Sequence, residues 1–259
     1  MTPENPPGFV VRTEAQKAAF DNGFRLERGI TGGWLGFAST TVQGDIWIAG
    51  ISKHGPWLLA LEHTGVIAEL TDLSRAVGVP SPGAAAFLLP TTTSLDAALN
   101  HVYRLASSLP DLPLRQFKAR TMSLPQSTEA ERLVIQRVGQ DIFRAALIEY
   151  WGGRCPLSGV TDGRLLRASH IKPWAACETD AERLDVHNGL LLAAHLDAAF
   201  DAGLISFADD GTILFAATFS LADRTALAID EGWTLPGITF DHQRYLAWHR
   251  CLHLAEPKR

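Results

Sequence analysis

Cysteines are few in this sequence, and long apolar runs are missing. The 259 residues include three cysteines, Cys155, Cys177 and Cys251, and no two of them have the Cys-x-x-Cys spacing. This count and spacing argue against a disulfide framework and against a four-cysteine zinc site. We therefore expect no structural zinc and a reduced, cytoplasmic environment. No apolar stretch approaches the ~20 residues that span a bilayer, and the polar, proline-rich start at Met1–Gly8 predicts no secretion signal.

An overall excess of positive charge is also missing, since the formal net charge is −5. Whole-chain charge is nevertheless a poor guide to phosphate binding, which depends on local fields. Between Arg115 and Lys172 the chain has ten basic and five acidic residues, so this segment is locally positive. An ordinary solvated helix face shows the same pattern, and charge alone does not separate the two interpretations. Hydrophobic residues make up 46% and charged residues 20% of the chain, which is typical of a globular protein.

The pattern of apolar residues predicts an α+β protein whose first part, residues 1–110, is a mixed α/β domain with an antiparallel meander. Short apolar runs separated by glycine-containing turns predict the strands, at Trp34–Ala38, Asp45–Ile51, Trp57–Glu62 and Val66–Leu70. Helical spacing predicts helices at Glu14–Asn22 and Leu95–Ser107. Residues 111–127 contain Pro113 and Pro125 and predict a linker with little regular structure.

Residues 128–259 predict a second domain that begins with a long helix. Thr128-x-x-Glu131 matches a capping box, and apolar residues at helical spacing continue to Tyr150. The remaining predicted elements are strands at Pro156–Val160, Leu165–Ile171 and Gly189–Ala194, a short helix at Leu196–Ala202, a hairpin formed by Leu204–Phe207 and Thr212–Phe215, and a closing helix at Asp241–Leu254. The candidate catalytic and metal-binding residues lie between the strand at Leu165–Ile171 and the short helix at Leu196–Ala202, both included.

Three motifs in this domain occur in a specific order. They are Ala-Ser-His-Ile-Lys-Pro-Trp at Ala168–Trp174, Asn-Gly-Leu-Leu-Leu at Asn188–Leu192, and Leu-Asp-Ala-Ala-Phe-Asp-Ala-Gly-Leu-Ile-Ser-Phe at Leu196–Phe207. Together they resemble the HNH endonucleases, in a bacterial branch of that family. The segments Arg132–Ser158 and Tyr245–Arg250 resemble the same proteins, so the resemblance covers about half of the chain. It implies a ββα-metal fold in a C-terminal HNH nuclease domain.

The resemblance also implies roles for individual residues. His170 is expected to be the general base, since imidazole accepts a proton near neutral pH. Asp197 is expected to bind a metal, and Asn188 to fix the loop that orients His170 or to contact the metal. Ser169 occupies a position where many HNH enzymes have an aspartate or histidine ligand, which leaves the full ligand set open. His195 lies two residues before Asp197, and on an extended segment both would share one face; the other possible ligands are Asp185, His187 and Asp201.

The implied cofactor is one divalent cation per active site, Mg²⁺ or Mn²⁺, because phosphodiester hydrolysis builds negative charge and hard cations prefer oxygen ligands. The implied partner is DNA, with phosphate contacts from Arg154, Arg167 and Lys172. Restriction of foreign or modified DNA is one role for such an enzyme, and cutting both strands favours a homodimer. Two alternatives remain open: a non-catalytic DNA-binding protein on a degenerate HNH scaffold, and a nuclease acting on RNA.

Three tryptophans of the N-terminal domain have two interpretations. Trp34, Trp47 and Trp57 lie in successive predicted strands. Packing in the sheet is the usual position of such large side chains and is the favoured interpretation. Alternatively, they stack on bases in a domain that recognises the target, with basic residues beside them at Arg25, Arg28 and Lys53.

Overall fold

Two units make up the protein in the computed structural model, Met1–Leu109 and Pro110–Arg259. The structure describes residues 2–125 and 128–254. The last two positions of the predicted linker, 126 and 127, and the ends of both predicted domains, residue 1 and residues 255–259, lie outside the described residues. Within the described ranges, no helix has both the length and the apolar character that crossing a bilayer requires.

The N-terminal unit is built on a five-stranded antiparallel sheet. Its elements are α1 (Phe9–Asp21), β1 (Leu26–Thr31), β2 (Trp34–Ala38), β3 (Ile46–Gly50), β4 (Trp57–Leu61), α2 (Thr64–Glu69), β5 (Ala85–Leu89) and α3 (Thr92–Ser108). The strand order follows the chain from β1 to β5. This confirms the predicted meander and adds two strands, β1 and β5, that the sequence patterns did not predict. Helices α1 and α3 contact each other and the sheet.

Local capping explains one correct and one wrong prediction in this unit. Helix α3 begins with a capping box between Thr91 and Ser94, and its predicted apolar face is buried. The apolar run Val66–Leu70 was predicted as a strand, which is wrong, because it lies largely in α2. The ring of His63 accepts a hydrogen bond from the backbone N–H of Val66 at 3.2 Å, which satisfies a free donor at the helix start.

The tryptophans of the sheet pack inside the unit. Trp34 and Trp57 are 3% and 0% exposed, and the indole N–H of Trp34 donates to the Pro80 carbonyl oxygen at 3.2 Å. Trp47 is half-buried. The buried rings of Trp34 and Trp57 have no face available for a base, which supports the packing interpretation for these two residues.

The C-terminal unit combines helices with two small hairpins. Its elements are α4 (Asp111–Thr121), α5 (Glu129–Tyr150), β6 (Leu166–His170), α6 (Asp180–Arg183), β7 (Gly189–Ala193), α7 (Ala194–Asp201), β8 (Ile205–Phe207), β9 (Ile213–Phe215), α8 (Leu221–Ala226) and α9 (Phe240–His253), with short 3-10 turns at Trp174–Ala176 and Val186–Asn188. Strand β6 pairs with β7, and β8 pairs with β9. The protein is therefore α+β, as predicted.

The segment predicted as a linker is largely helical, and the prediction of little regular structure there was wrong. Helix α4 occupies Asp111–Thr121 and packs against α5. Pro113 lies in its first turn, where the missing N–H has no intrahelical partner to lose. The buried ring of Phe117 anchors α4 to the unit.

A tight turn replaces the strand predicted at Pro156–Val160. The N–H of Cys155 donates to the Val160 carbonyl at 2.9 Å, and the N–H of Gly159 donates back to the Cys155 carbonyl at 2.9 Å. Gly159 adopts a φ of 73°, which glycine reaches without strain and which closes the turn. Cys155 packs in the apolar core of the unit, as expected. The partner of the motif-bearing strand β6 is therefore β7 rather than the preceding segment.

Candidate active site

The β6–β7 hairpin holds the predicted site residues between two helices. In the antiparallel ladder, Ser169 pairs with Leu190 and His170 pairs with Gly189. Residues opposite each other across a ladder share a face, and consecutive residues of a strand point to opposite faces. Helices α5 and α7 each contact both strands. The side chain of His170 meets α5, and the side chain of Ser169 meets α7.

His170 lies in an aromatic slot on the α5 side. Its ring stacks on Phe143 with centroids 3.7 Å apart and planes 14° from parallel. Trp174 meets the same ring edge-on, with centroids 5.8 Å apart and an interplanar angle of 89°. The Nε2 atom of His170 lies 2.9 Å from the carbonyl oxygen of Arg183. Two rings and one backbone group therefore determine the position and rotation of the imidazole.

These contacts select one protonation form of His170. Burial lowers the pKa of the ring to about 4, and the bond to the Arg183 carbonyl raises it by a smaller amount. A carbonyl oxygen only accepts, so Nε2 carries the hydrogen and the lone pair of the neutral ring is on Nδ1. Within the described part of the chain, Nδ1 has no hydrogen-bond partner. The imidazole is thus neutral at pH 7, with Nδ1 ready to accept a proton.

Asn188 ties together the loop that follows His170. Its Oδ1 atom accepts from the backbone N–H of Lys172 at 2.8 Å. Its Nδ2 atom donates to the carbonyl oxygens of Lys172 and Glu182, at 3.1 and 3.2 Å, and contacts the sulfur of Cys177 at 3.3 Å. The Asn188 carbonyl accepts from the N–H of Ile171, the residue after the histidine. A fully buried amide with this set of bonds fixes the loop from both ends.

Two carboxylates lie together on the α7 side. Asp197 and Asp201 are four residues apart, so they share one face of α7. The hydroxyl of buried Ser169 donates to Oδ1 of Asp201 at 3.3 Å and lies near enough to Asp197 to lower the pKa of that carboxyl slightly. Burial raises the pKa of both carboxyl groups, and the charge of Asp197 raises that of Asp201 further. Two repelling carboxylates are therefore held beside one hydroxyl.

This segment matches a known family. Residues 155–208, which include the hairpin and α7, match the family model described as HNH endonuclease. Residues 155–208 therefore form an HNH domain. No curated protein matches the chain.

The oxygen donors of the HNH domain fit a divalent cation. Ser169, Asp197 and Asp201 offer a hydroxyl and two carboxylates, the donor type that suits Mg²⁺ and Mn²⁺. Mg²⁺ is usually held by one or two carboxylates and keeps several waters, so a larger protein ligand set is not needed. The mutual repulsion of the two carboxylates would be relieved by a bound cation.

His195 does not share a face with Asp197, as it would if this segment were extended. The HNH domain places it in the first turn of α7, two residues before Asp197. Residues two apart on a helix differ by about 200° around the axis. The expectation of a shared face was therefore wrong, and Asp201, one full turn after Asp197, takes that place.

The predicted phosphate-binding residues of the HNH domain differ in availability. Arg154 and Arg167 are exposed and donate to backbone carbonyls nearby, at Gly159 and Arg164 respectively. Lys172 instead pairs with Glu182 at 2.7 Å, with side chains that are 14% and 23% exposed. This pairing argues against Lys172 as a phosphate contact, because its charge is already neutralised.

Asp185 and His187, two further candidate ligands, belong to a separate buried network. One oxygen of Asp185 accepts from the N–H and the Nδ1 of His187, at 3.0 and 2.8 Å. The other accepts from Arg244 and Tyr245 of α9, at 2.7 and 3.0 Å. Both carboxylate oxygens are therefore used within the protein, and the network anchors the turn that precedes Asn188.

Sequence reasoning did not single out two groups that define the His170 environment. Phe143 lies in the segment Arg132–Ser158 that resembles the family, but the sequence patterns assigned it no role in the site. The Arg183 carbonyl leaves no trace in the sequence, since every residue has one. The one signal in the sequence was the glycine of the Asn-Gly-Leu-Leu-Leu motif. This residue, Gly189, pairs with His170, and a glycine opposite a site residue leaves room for a large neighbouring side chain.

Proposed function

We propose that the protein is a metal-dependent endonuclease that hydrolyses phosphodiester bonds in DNA. The observation that supports this most directly is the pair of consecutive residues at the end of β6. His170 presents a neutral imidazole with an unoccupied Nδ1, and Ser169 lies with two carboxylates. General-base catalysis and charge neutralisation are the two requirements of phosphodiester hydrolysis, and a single strand carries residues suited to both.

His170 acts as the base in this proposal. Nδ1 takes a proton from a water molecule, and the water oxygen attacks the phosphorus atom. The bond from phosphorus to the 3′ oxygen breaks, and that oxygen takes up a proton. The products are a 5′-phosphate and a 3′-hydroxyl. The Arg183 carbonyl stabilises the imidazolium formed at Nε2, because it accepts from the N–H that carries part of the new charge.

Asp197, Asp201 and Ser169 would hold a divalent cation on the other side of the strand. A bound Mg²⁺ or Mn²⁺ neutralises charge that develops on the phosphate oxygens and on the leaving oxygen. Arg154 and Arg167 are exposed and bind neighbouring phosphates of the strand. Asn188 contributes indirectly, by fixing the loop that contains the residues around His170.

The opposite orientation of the two groups sets a condition on this proposal. The His170 ring contacts Phe143 and Trp174, whereas the Asp197 carboxylate lies on the α7 side with Ser169. Cα atoms of consecutive residues are about 3.8 Å apart. The imidazole and the oxygen donors therefore flank one piece of backbone, and one phosphate at the end of β6 would have to reach both.

Cleavage of supercoiled plasmid DNA across a panel of metals tests the proposal. Wild-type protein is expected to nick or linearise the plasmid with Mg²⁺ or Mn²⁺ and to stop when a chelator is added. His170→Ala is expected to lose about 100- to 10,000-fold in rate, the usual contribution of a general base. His54→Ala, which removes an exposed histidine of the N-terminal unit, is the matched control.

The substrate panel separates DNA hydrolysis from the alternatives. Single-stranded RNA, unmodified DNA and methylated or hydroxymethylated DNA are digested side by side, and a preference for modification state supports a role in restriction. Cleavage that persists unchanged in His170→Ala or in chelator contradicts the proposal. Salt-sensitive DNA binding without cleavage under any metal would instead identify a degenerate scaffold.

A further inference from the structure

One wall of the slot around His170 is formed by a residue outside the segment that matches the HNH family. Phe143 belongs to α5, 12 positions before the matched segment begins, and it is 1% exposed. Its ring covers one face of the imidazole at 3.7 Å, close to the distance of direct contact between flat rings. Arg144, the next residue, donates to the carbonyls of Leu166 and Gly163 at 3.0 and 2.9 Å. Helix α5 is therefore attached to β6 at both ends, through Arg144 near Leu166 and through Phe143 at His170.

The rings of Phe143 and Trp174 fit beside His170 because the residues next to them are glycines. A Cβ on Gly189, the residue opposite His170, would lie 2.5 Å from Cζ of Phe143. A Cβ on Gly139 would lie 2.3 Å from Cη2 of Trp174. Real Cβ contacts are not this short, so either methyl group would displace the ring beside it. The glycine of the Asn-Gly-Leu-Leu-Leu motif thus has a specific role in accommodating Phe143.

We propose that Phe143 is a positioning residue that holds the imidazole of His170 in the orientation required for proton transfer. The inference rests on the proposed function and assigns part of its machinery to α5. A hydrogen bond at Nε2 alone leaves the ring free to rock about that contact. Stacking on Phe143 removes this freedom, and the edge of Trp174 limits rotation on the other side. A shift of about 1 Å in a catalytic group is enough to slow a reaction about 100-fold.

Substitution of Phe143 by leucine tests this role against simple core packing. Phe143→Leu keeps an apolar side chain but removes the flat face. Phe207→Leu is the matched control, because Phe207 is a fully buried phenylalanine of β8 in the same unit. Single-turnover cleavage is expected to give a 10- to 100-fold lower kcat for Phe143→Leu, an estimate based on the cost of misplacement. KM is expected to change less than about twofold, because the ring does not bind substrate.

A second variant keeps the test valid if Phe143→Leu does not fold. Gly189→Ala retains both rings but places a methyl group against Phe143, and its extended backbone (φ −152°) accepts alanine. It is expected to lower kcat in the same way. Imidazole rescue gives a readout that a purely structural role would not change. In His170→Gly, added imidazole occupies the slot and restores cleavage, and in His170→Gly/Phe143→Leu the half-maximal imidazole concentration is expected to rise at least about fivefold.

The outcomes separate this inference from the proposed function. If His170→Gly cuts as fast as wild type, the proposed function fails and the inference fails with it. If His170→Gly is inactive but Phe143→Leu and Gly189→Ala keep the kcat of Phe207→Leu, the function stands and the positioning role is wrong. A fall in kcat in both variants, without a matching loss in Phe207→Leu, supports the role of Phe143.

Discussion

The two faces of strand β6 differ in the charge of the side chains that they carry. On the α5 side, His170 is enclosed by two aromatic rings and a carbonyl, and burial keeps the ring neutral. On the α7 side, Asp197 and the exposed Asp201 repel each other beside one hydroxyl. The His170 ring is thus neutral and enclosed, whereas on the second face the charge of one carboxylate raises the pKa of the other.

This difference matches the two chemical requirements of the proposed hydrolysis on one short strand. A proton acceptor needs a fixed position and a free lone pair, which dry aromatic packing provides. A cation site needs hydrated oxygen donors with excess negative charge, which a half-exposed helix provides. Because side chains alternate along a strand, neighbouring residues reach these two environments without any special backbone geometry.

The largest expected effect comes from removing a carboxylate of the α7 face. Asp197→Ala is expected to lower the cleavage rate at least about 100-fold, because cation binding contributes several kcal/mol to phosphoryl charge stabilisation. Calorimetric titration with Mn²⁺ is expected to show weaker binding in the same variant. Asp210→Asn, an exposed carboxylate in the β8–β9 turn, is the control. Wild-type metal affinity in Asp197→Ala would show that the cation binds elsewhere.

The next effect concerns the loop on the α5 face. Asn188→Ala is expected to lower the free energy of unfolding by about 2–4 kcal/mol, because several buried backbone groups lose their partner at once. Urea denaturation measures this change. Cleavage by the folded fraction is expected to fall as well, since the loop after His170 is released. A variant that is destabilised but cuts normally would separate the loop from catalysis.

Acid is expected to act on the two faces with opposite sign. The pKa of His170 is lowered to about 4 from 6.5, so the unfolded chain binds a proton first and the free energy of unfolding falls, by up to about 3 kcal/mol, from pH 6.5 to 4. The pKa values of Asp197 and Asp201 are raised from 3.8, so their folded forms bind protons first and stability is gained as pH falls.

Denaturation of matched variants over pH 4–7 separates these two contributions. His170→Ala is expected to flatten the acid loss of stability, whereas Asp197→Ala is expected to steepen it. Identical pH profiles for both variants and wild type would contradict the contrast between the two faces.

The smallest effect is expected from the exposed cation near the carboxylates. Arg167→Ala is expected to change stability by less than about 0.5 kcal/mol, since its side chain is exposed. DNA binding is expected to weaken, and the slope of log affinity against log salt to decrease by about 1, as for the loss of one phosphate contact. Fluorescence anisotropy across a salt series measures this. Lys172→Ala, in which a paired cation is removed, is expected to leave the slope unchanged.

Elements with strong local signals were predictable from the sequence. Helix α5 has a capping box at Thr128 and α3 has one at Thr91, and both have apolar residues at helical spacing. Strands β2, β3 and β4 lie between clear turns. Strand β1 was not predicted because all of its residues are exposed and no alternating pattern marks it. Helix α4 was missed because its prolines indicated a connector, although Pro113 in a first turn is compatible with a helix.

The site was predictable in its residue types but only partly in its arrangement. The ordered motifs identified His170, Asn188 and Asp197, and the structure gives each of them specific contacts. The choice between His195 and Asp201 depended on whether α7 begins before or after His195, and one residue of helix boundary changes which side chains share a face. Contacts with Phe143 depend on the distant α5, which no local pattern encodes.

The hydrogen bonds around the Asp185 carboxylate set a limit on how far this HNH domain can be shortened. The matched segment ends at residue 208, yet the two outer partners of that buried carboxylate, Arg244 and Tyr245, come from α9. A fragment cut at the limits of the match would leave the carboxylate without them, at a cost of several kcal/mol for a stranded buried charge. A fragment that keeps these contacts and the Phe143–His170 stack therefore has to extend from α5 to α9.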